Sequence, residues 1–200
     1  SMSGDADTGT STFNCKSSSL EILSSSSVYS SAPMFFITNT DSIINLEGCT
    51  FTYGSGIFLN AAGTSEWGTS GSNGGDVTLT LTNQDVEGDF VVNSDSSLTI
   101  NMVNSSIKGK MNNAKSSSTI SVTLDAASTI TLTGNSYVSS LSNSDTTGSN
   151  IIKGSYSFAD YNGNEYTGTT SSSNSTSSSS SSNDSQNTST PSDTQTSIDT

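Results

Sequence analysis

Eighteen acidic residues, five lysines, no histidine and no arginine leave few chemistries open to this 200-residue chain. Lys108 and Lys110 flank Gly109, and Glu87 and Asp89 flank Gly88 in the matching segment: Val86-Glu87-Gly88-Asp89-Phe90 reappears as Ile107-Lys108-Gly109-Lys110-Met111. A lysine base needs a pocket that shifts its pKa. Opposite charges at equal spacing are explained more simply as a surface ladder, worth a few tenths of a kcal/mol per pair. Glycoside hydrolysis needs two carboxylates roughly 5–10 Å apart across a cleft. Asp89 and Asp95 flank a turn, and Asp41 is expected near the place of Asp95 in its own segment; turn formation accounts for Asp at such positions. Without histidine there is no Ser-His-Asp triad and no ordinary zinc site. No catalytic residue is assigned, no cofactor is required, and the expectation is a protein that is not an enzyme.

Binding is the other chemistry to weigh. The only tryptophan lies in a glycine-rich stretch, Gly63-Thr64-Ser65-Glu66-Trp67-Gly68-Thr69-Ser70-Gly71-Ser72-Asn73-Gly74-Gly75. An aromatic ring on such a loop stacks on sugars or folds back over its neighbours. Trp67, with Glu66 beside it, is the candidate carbohydrate-binding pair, and a cover is the favoured alternative for Trp67. Surface carboxylates could hold Ca²⁺, although no ligand spacing points to it. The net charge of −13 disfavours nucleic acid, which requires a cationic patch. No apolar run reaches membrane-spanning length, so membrane insertion is not expected. Cys15 and Cys49 each sit in a strand-like stretch, Phe13-Asn14-Cys15 and Cys49-Thr50-Phe51, and are expected as small buried hydrophobes; oxidation across stacked coils is the alternative.

The elements that carry these residues follow from repetition. Val77, Leu79 and Leu81 alternate with threonines, and recur as Leu98, Ile100 and Met102, then as Ile120, Val122 and Leu124. Period-two alternation gives half-buried strands, and a constant displacement of about 21–22 residues gives stacked coils. With 29% hydrophobic residues the core must be a thin stripe, as a solenoid allows. The expected fold is an all-β, right-handed parallel β-helix over 1–168, interrupted by a loop insertion at 61–76. Phe35-Phe36-Ile37 and Ile43-Ile44-Asn45-Leu46 repeat the pattern of Phe90-Val91-Val92 and Leu98-Thr99-Ile100-Asn101-Met102, and Phe13 to Val28 reads as a weaker first coil. The tail, 169–200, is almost entirely Ser, Thr, Asn, Asp and Gln; it has too little to bury and is expected to be disordered, as a linker or stalk. Outward threonine rows such as Thr78, Thr80 and Thr82 would suit an ice-binding face only if they recurred, and Asn101 and Ser121 break them.

The segment Glu66-Trp67-Gly68-Thr69-Ser70-Gly71-Ser72-Asn73-Gly74-Gly75-Asp76-Val77-Thr78-Leu79 resembles secreted bacterial adhesin-like β-helix proteins, and residues 122–141 are similar to their closing coil. The resemblance covers roughly 31–168, with Ile130 where Trp is usual. It implies an extracellular or cell-surface rod, joined to further segments of a longer parent chain. Its relation in pattern to clostridial carbohydrate-binding β-helices implies acidic polysaccharides or cell-surface glycans as partners, with calcium assisting. Pectin-degrading enzymes share the architecture, and similarity to those lyases would imply an Arg or Lys base. The function expected is a non-catalytic adhesin-like stalk or display surface, the alternative a carbohydrate-binding β-helix.

Overall fold

The computed structural model describes residues 9–117 and 119–170. Within them the chain is all-β, and no helix is long and apolar enough to cross a membrane. Its longest sheet has six strands, Thr10–Lys16, Thr40–Glu47, Gly75–Thr82, Ser97–Val103, Ile120–Leu124 and Ser140–Asn143, side by side in chain order. A second sheet joins Asp85–Glu87, Ser106–Gly109, Thr129–Leu132, Ile151–Gly154 and Thr169–Thr170, and a third joins Phe35–Ile37, Ile57–Ala61 and Asp89–Val92. Two strand pairs complete the set, Ser19–Glu21 with Thr50–Thr52 and Ser136–Tyr137 with Phe158–Ala159. All of these ladders are parallel; a single antiparallel bridge joins Ala159 to Glu165.

The alternating pattern fixes which face of the long sheet is buried. Ser42, Val77, Leu98 and Ile120 form one inward row, Ile44, Leu79, Ile100, Val122 and Leu141 a second, and Leu46, Leu81, Met102 and Leu124 a third. The register expected from the repeat, Leu79 beside Ile100 and Val86 beside Ile107, is present. Aromatic rings fill the interior toward the N-terminal end, where Phe35, Phe58 and Phe90 succeed one another at centroid distances of 5.4 and 5.6 Å.

The spacing between stacked strands is less uniform than expected. Stacked positions are 31 residues apart at Asn14 and Asn45, 35 at Thr38 and Asn73, 21 at Asp76 and Ser97, 22 at Thr99 and Ser121, and 19 at Ile120 and Ser139. The even spacing holds only in the middle, because residues 22–34 and 62–74 are inserted between strands. The insertion is correspondingly shorter than 61–76: Ala61 ends one strand and Gly75 begins the next. Asp41 pairs with Asp76, and Asp76 in turn with Ser97, so Asp41 falls close to the place of Asp95 in its own segment, as expected.

The abundance of serine has a local cause. At the turns a short hydroxyl accepts from the backbone N–H of the adjoining coil: Ser96 from Gly75 (3.0 Å), Ser105 from Gln84 (3.1 Å), Ser128 from Ser105 (3.1 Å) and Ser136 from Met111 (3.0 Å). All four serines are buried, so each bond satisfies a donor that would otherwise be buried without a partner, at a cost of about 1–3 kcal/mol. Gln84 extends the device, since its amide accepts from Cys49 N–H and donates to Cys49 C=O, each at 2.7 Å.

Cys15 and Cys49 are joined in a disulfide, which corrects the expectation of free buried thiols. Cys15 lies beside Leu46, and the turn at Gly48, with φ of 59°, brings Cys49 back toward it so that the Cα atoms are 6.5 Å apart. Burial itself was foreseen: the two residues are 7% and 5% exposed.

The C-terminal end of the core is closed by the segment that follows Phe158. Tyr166 packs edge-on against buried Phe158 and donates from its hydroxyl to Val138 C=O. Lys153, only 8% exposed, donates to Glu165 at 2.8 Å and to Tyr166 C=O at 3.1 Å. That ammonium holds the Glu165 carboxyl below its usual range. A depressed folded-state pKa contributes stability above the unfolded value, and the contribution is lost as pH falls through the folded one. Glu165→Gln is therefore expected to lower unfolding free energy by about 1–2 kcal/mol at pH 7, discounted for the half-exposed carboxylate. In thermal melts the gap from the parent protein should close as pH drops below the carboxylate range; a gap independent of pH would count against the ion pair.

Thr169 and Thr170 pair with Ile152 and Gly154, so the tail expected from 169 onward has its first two residues in a strand. Backbone ladder bonds, not apolar burial, repay their ordering. The remainder of that tail, 171–200, lies outside the described residues.

Candidate functional site

Trp67 is half-buried on the inserted loop. Asn73 holds that loop: it is 2% exposed, and its side-chain N–H groups donate to the carbonyls of Thr64 and Trp67. Its own carbonyl accepts from Asn39 N–H at 2.9 Å, tying the loop to the preceding strand. Trp67 thereby joins Phe13, Leu20, Phe35, Phe36 and Ile43 in the wall of an open cleft of about 570 Å³ at the N-terminal end of the sheets. Several of these residues stay accessible, Phe13 at 40%, Phe36 at 48% and Ile43 at 37%. Glu66 is exposed and does not line the cleft, so the structure separates the two members of the expected pair.

The charged ladder is present as residues. Lys108 bonds Glu87 at 2.8 Å across neighbouring strands, and Lys110, just past the end of its strand, bonds Asp89 at 3.1 Å. Lys16 pairs with Glu47 at 2.9 Å, and Lys115 sits 4.6 Å from the Tyr137 ring centroid. With Lys153 on Glu165, every lysine of the chain has a partner. The pairs of Lys16, Lys108 and Lys110, which lie at the surface, contribute about 0–1 kcal/mol each.

A second concavity adjoins the ladder, and sequence reading passed over it. Two connected openings of about 580 and 550 Å³ share Phe51, Tyr53, Glu87 and Lys108. Tyr53 leans on Phe58 and donates its hydroxyl to Glu87 C=O. Burial, with Asp89 and Glu87 nearby, pushes the Tyr53 hydroxyl up to about 12, so it stays protonated at neutral pH. Gly88, with φ of 148°, has no side chain because the Tyr53 hydroxyl occupies the space a Cβ would take. A signal for this groove existed in Tyr53 and Gly88, but their contact crosses one of the long coils, where a 21-residue rule does not apply.

Among the described residues no three His, Cys, Asp or Glu side chains converge where they could hold a metal ion. Asp145 is held well below the usual carboxylate range by Thr147 and Ser149, and Asp125 by Ser128; these carboxylates order their own turns. No protein-family model matches the chain, and no curated protein or solved structure is significantly similar to it.

Proposed function

We propose that the chain is a right-handed parallel β-helix module of an extracellular protein, a non-catalytic stalk or display surface of the adhesin-like kind. The observation that carries this reading is the order of travel. From Gly75 onward the chain passes from the long sheet to the second, on to the third, and back to the long sheet beside its previous strand; the next lap runs from the long sheet to the second, meets the third through a single parallel bridge from Met111 to Phe90, and returns to the long sheet. A chain wound in this way stacks the same side chains above one another and is stiff along its axis. The disulfide supports an oxidising compartment. Attachment to further coils of a parent protein belongs to the same proposal.

Force spectroscopy on the chain held by its two ends tests the stalk: unfolding in successive coil-sized steps is expected, and one all-or-none event would overturn it. A release assay for unsaturated uronides or new reducing ends tests the non-catalytic part, where turnover abolished by a point substitution would sink it.

The second reading, binding of acidic polysaccharide or a surface glycan with calcium assisting, is favoured by the accessible aromatics around Trp67. Trp67→Ala is expected to cost about 1–2 kcal/mol of stability, the burial of roughly half an indole. Retained stability with lost binding on a glycan array would instead make Trp67 a sugar platform. Binding to acidic glycans that EDTA removes would favour calcium despite the ligand geometry.

A further inference from the structure

We propose that the groove bounded by Phe51, Tyr53, Asp85, Glu87, Ser106 and Lys108 binds a neutral oligosaccharide. This site shares no lining residue with the Trp67 cleft and does not depend on the rod reading.

Shape comes first. The two openings form one trough, and its floor is kept low by Gly88 and Gly109; a Cβ at Gly109 would overlap the Gly88 carbonyl oxygen. Phe51 and Tyr53 stand along one side, each half-buried. Phe51 is braced by Phe58 at 5.1 Å, and Tyr53 is braced by Phe58 and by its bond to Glu87 C=O. Their ring orientation is thus fixed before any ligand arrives, which lowers the entropy cost of stacking.

Charge then selects the ligand. The ionic groups at the trough are Asp85, Glu87, Asp89 and Lys108, and Lys108 is neutralised by Glu87 while Lys110 covers Asp89. Asp85 accepts from the Ser106 hydroxyl and has no cation on it. A uronate or phosphate would therefore meet net negative charge. An uncharged sugar meets aromatic faces for its C–H surface, with carboxylate and Ser106 Oγ acceptors and the Lys108 donor for its hydroxyls. Sugar hydroxyls both donate and accept, and this mixed rim suits them.

The test is NMR titration of the ¹⁵N-labelled full chain with laminarihexaose, cellohexaose and polygalacturonate, and with an oligolysine peptide as the cationic control. Saturable shifts of the Gly54, Gly88 and Gly109 amides with a neutral hexasaccharide are expected, with no response to polygalacturonate. Tyr53→Ala should weaken that binding by about tenfold, the loss of one stacking contact. Tyr53→Phe, which keeps the ring, should bind within about twofold. Trp67→Ala should leave it unchanged. No shift with either neutral hexasaccharide, shifts confined to the Gly63–Gly68 loop, or stronger response to polygalacturonate or oligolysine overturns the proposal. Because the wild-type titration reports position directly, the result stands even if Tyr53→Ala fails to fold.

Discussion

Ile100→Ala is expected to lower the free energy of unfolding by about 3–4 kcal/mol, within the range for aliphatic truncation in a packed core. Ile100 is fully buried between Leu79 on one side and Val122 on the other, in the middle of the second inward row. The parallel ladders fix the neighbouring strands on either side of it, so they have little freedom to close the cavity. Val103→Ala gives the control. Its side chain sits on the same strand but faces outward, 49% exposed, and should change stability by less than about 0.5 kcal/mol. Urea midpoints for the two variants check both values. Equal midpoints would mean that the inward rows are not the core.

Reduction of Cys15–Cys49 is the second large effect. The bond closes a segment with a sequence separation of 34 residues. Chain-entropy bookkeeping for a loop of that size gives about 3–4 kcal/mol. On the proposed winding each coil contacts only its neighbours, so the loss should be felt locally. Hydrogen exchange after reduction should accelerate in Thr10–Lys16 and Ser19–Glu21 while Ile120–Leu124 keeps its protection. The double variant Cys15→Ser, Cys49→Ser should reproduce that pattern without reductant. Uniform acceleration along the chain would refute the local picture, and no acceleration anywhere would show the bond to be idle.

The middle of the fold was legible because spacing there is regular. Val77, Leu98 and Ile120 share one row, and Glu87 with Lys108 forms the expected rung, since both follow from displacement by one coil. Where insertions lengthen the coil, the same arithmetic fails. There Thr40 pairs with Gly75 and Thr38 reaches Asn73, 35 positions on and not about 21. The disulfide stood only as the alternative, because burial alone suits a free thiol as well; the turn at Gly48 that brings Cys49 toward Cys15 is visible only in the fold. Gln84 gave no signal at all: nothing about an isolated glutamine between strands says that its amide will clamp both backbone groups of Cys49. Lys153 was hidden for a related reason, since its burial depends on Glu165 and Tyr166 returning from beyond the last long-sheet strand. Trp67 was rightly placed on the inserted loop, but its companions Phe13 and Phe36 come from strands that only the fold brings together.

Unequal strand spacings also bear on how the chain finds its register. In an array of identical laps, a strand docked one lap too early would lose almost nothing, and slipped isomers would compete with the native one. Here a slip at the first strand would set a 31-residue stretch against places built for 35, and Gln84 would miss Cys49. Irregular spacing thus works as a key cut that admits a single alignment.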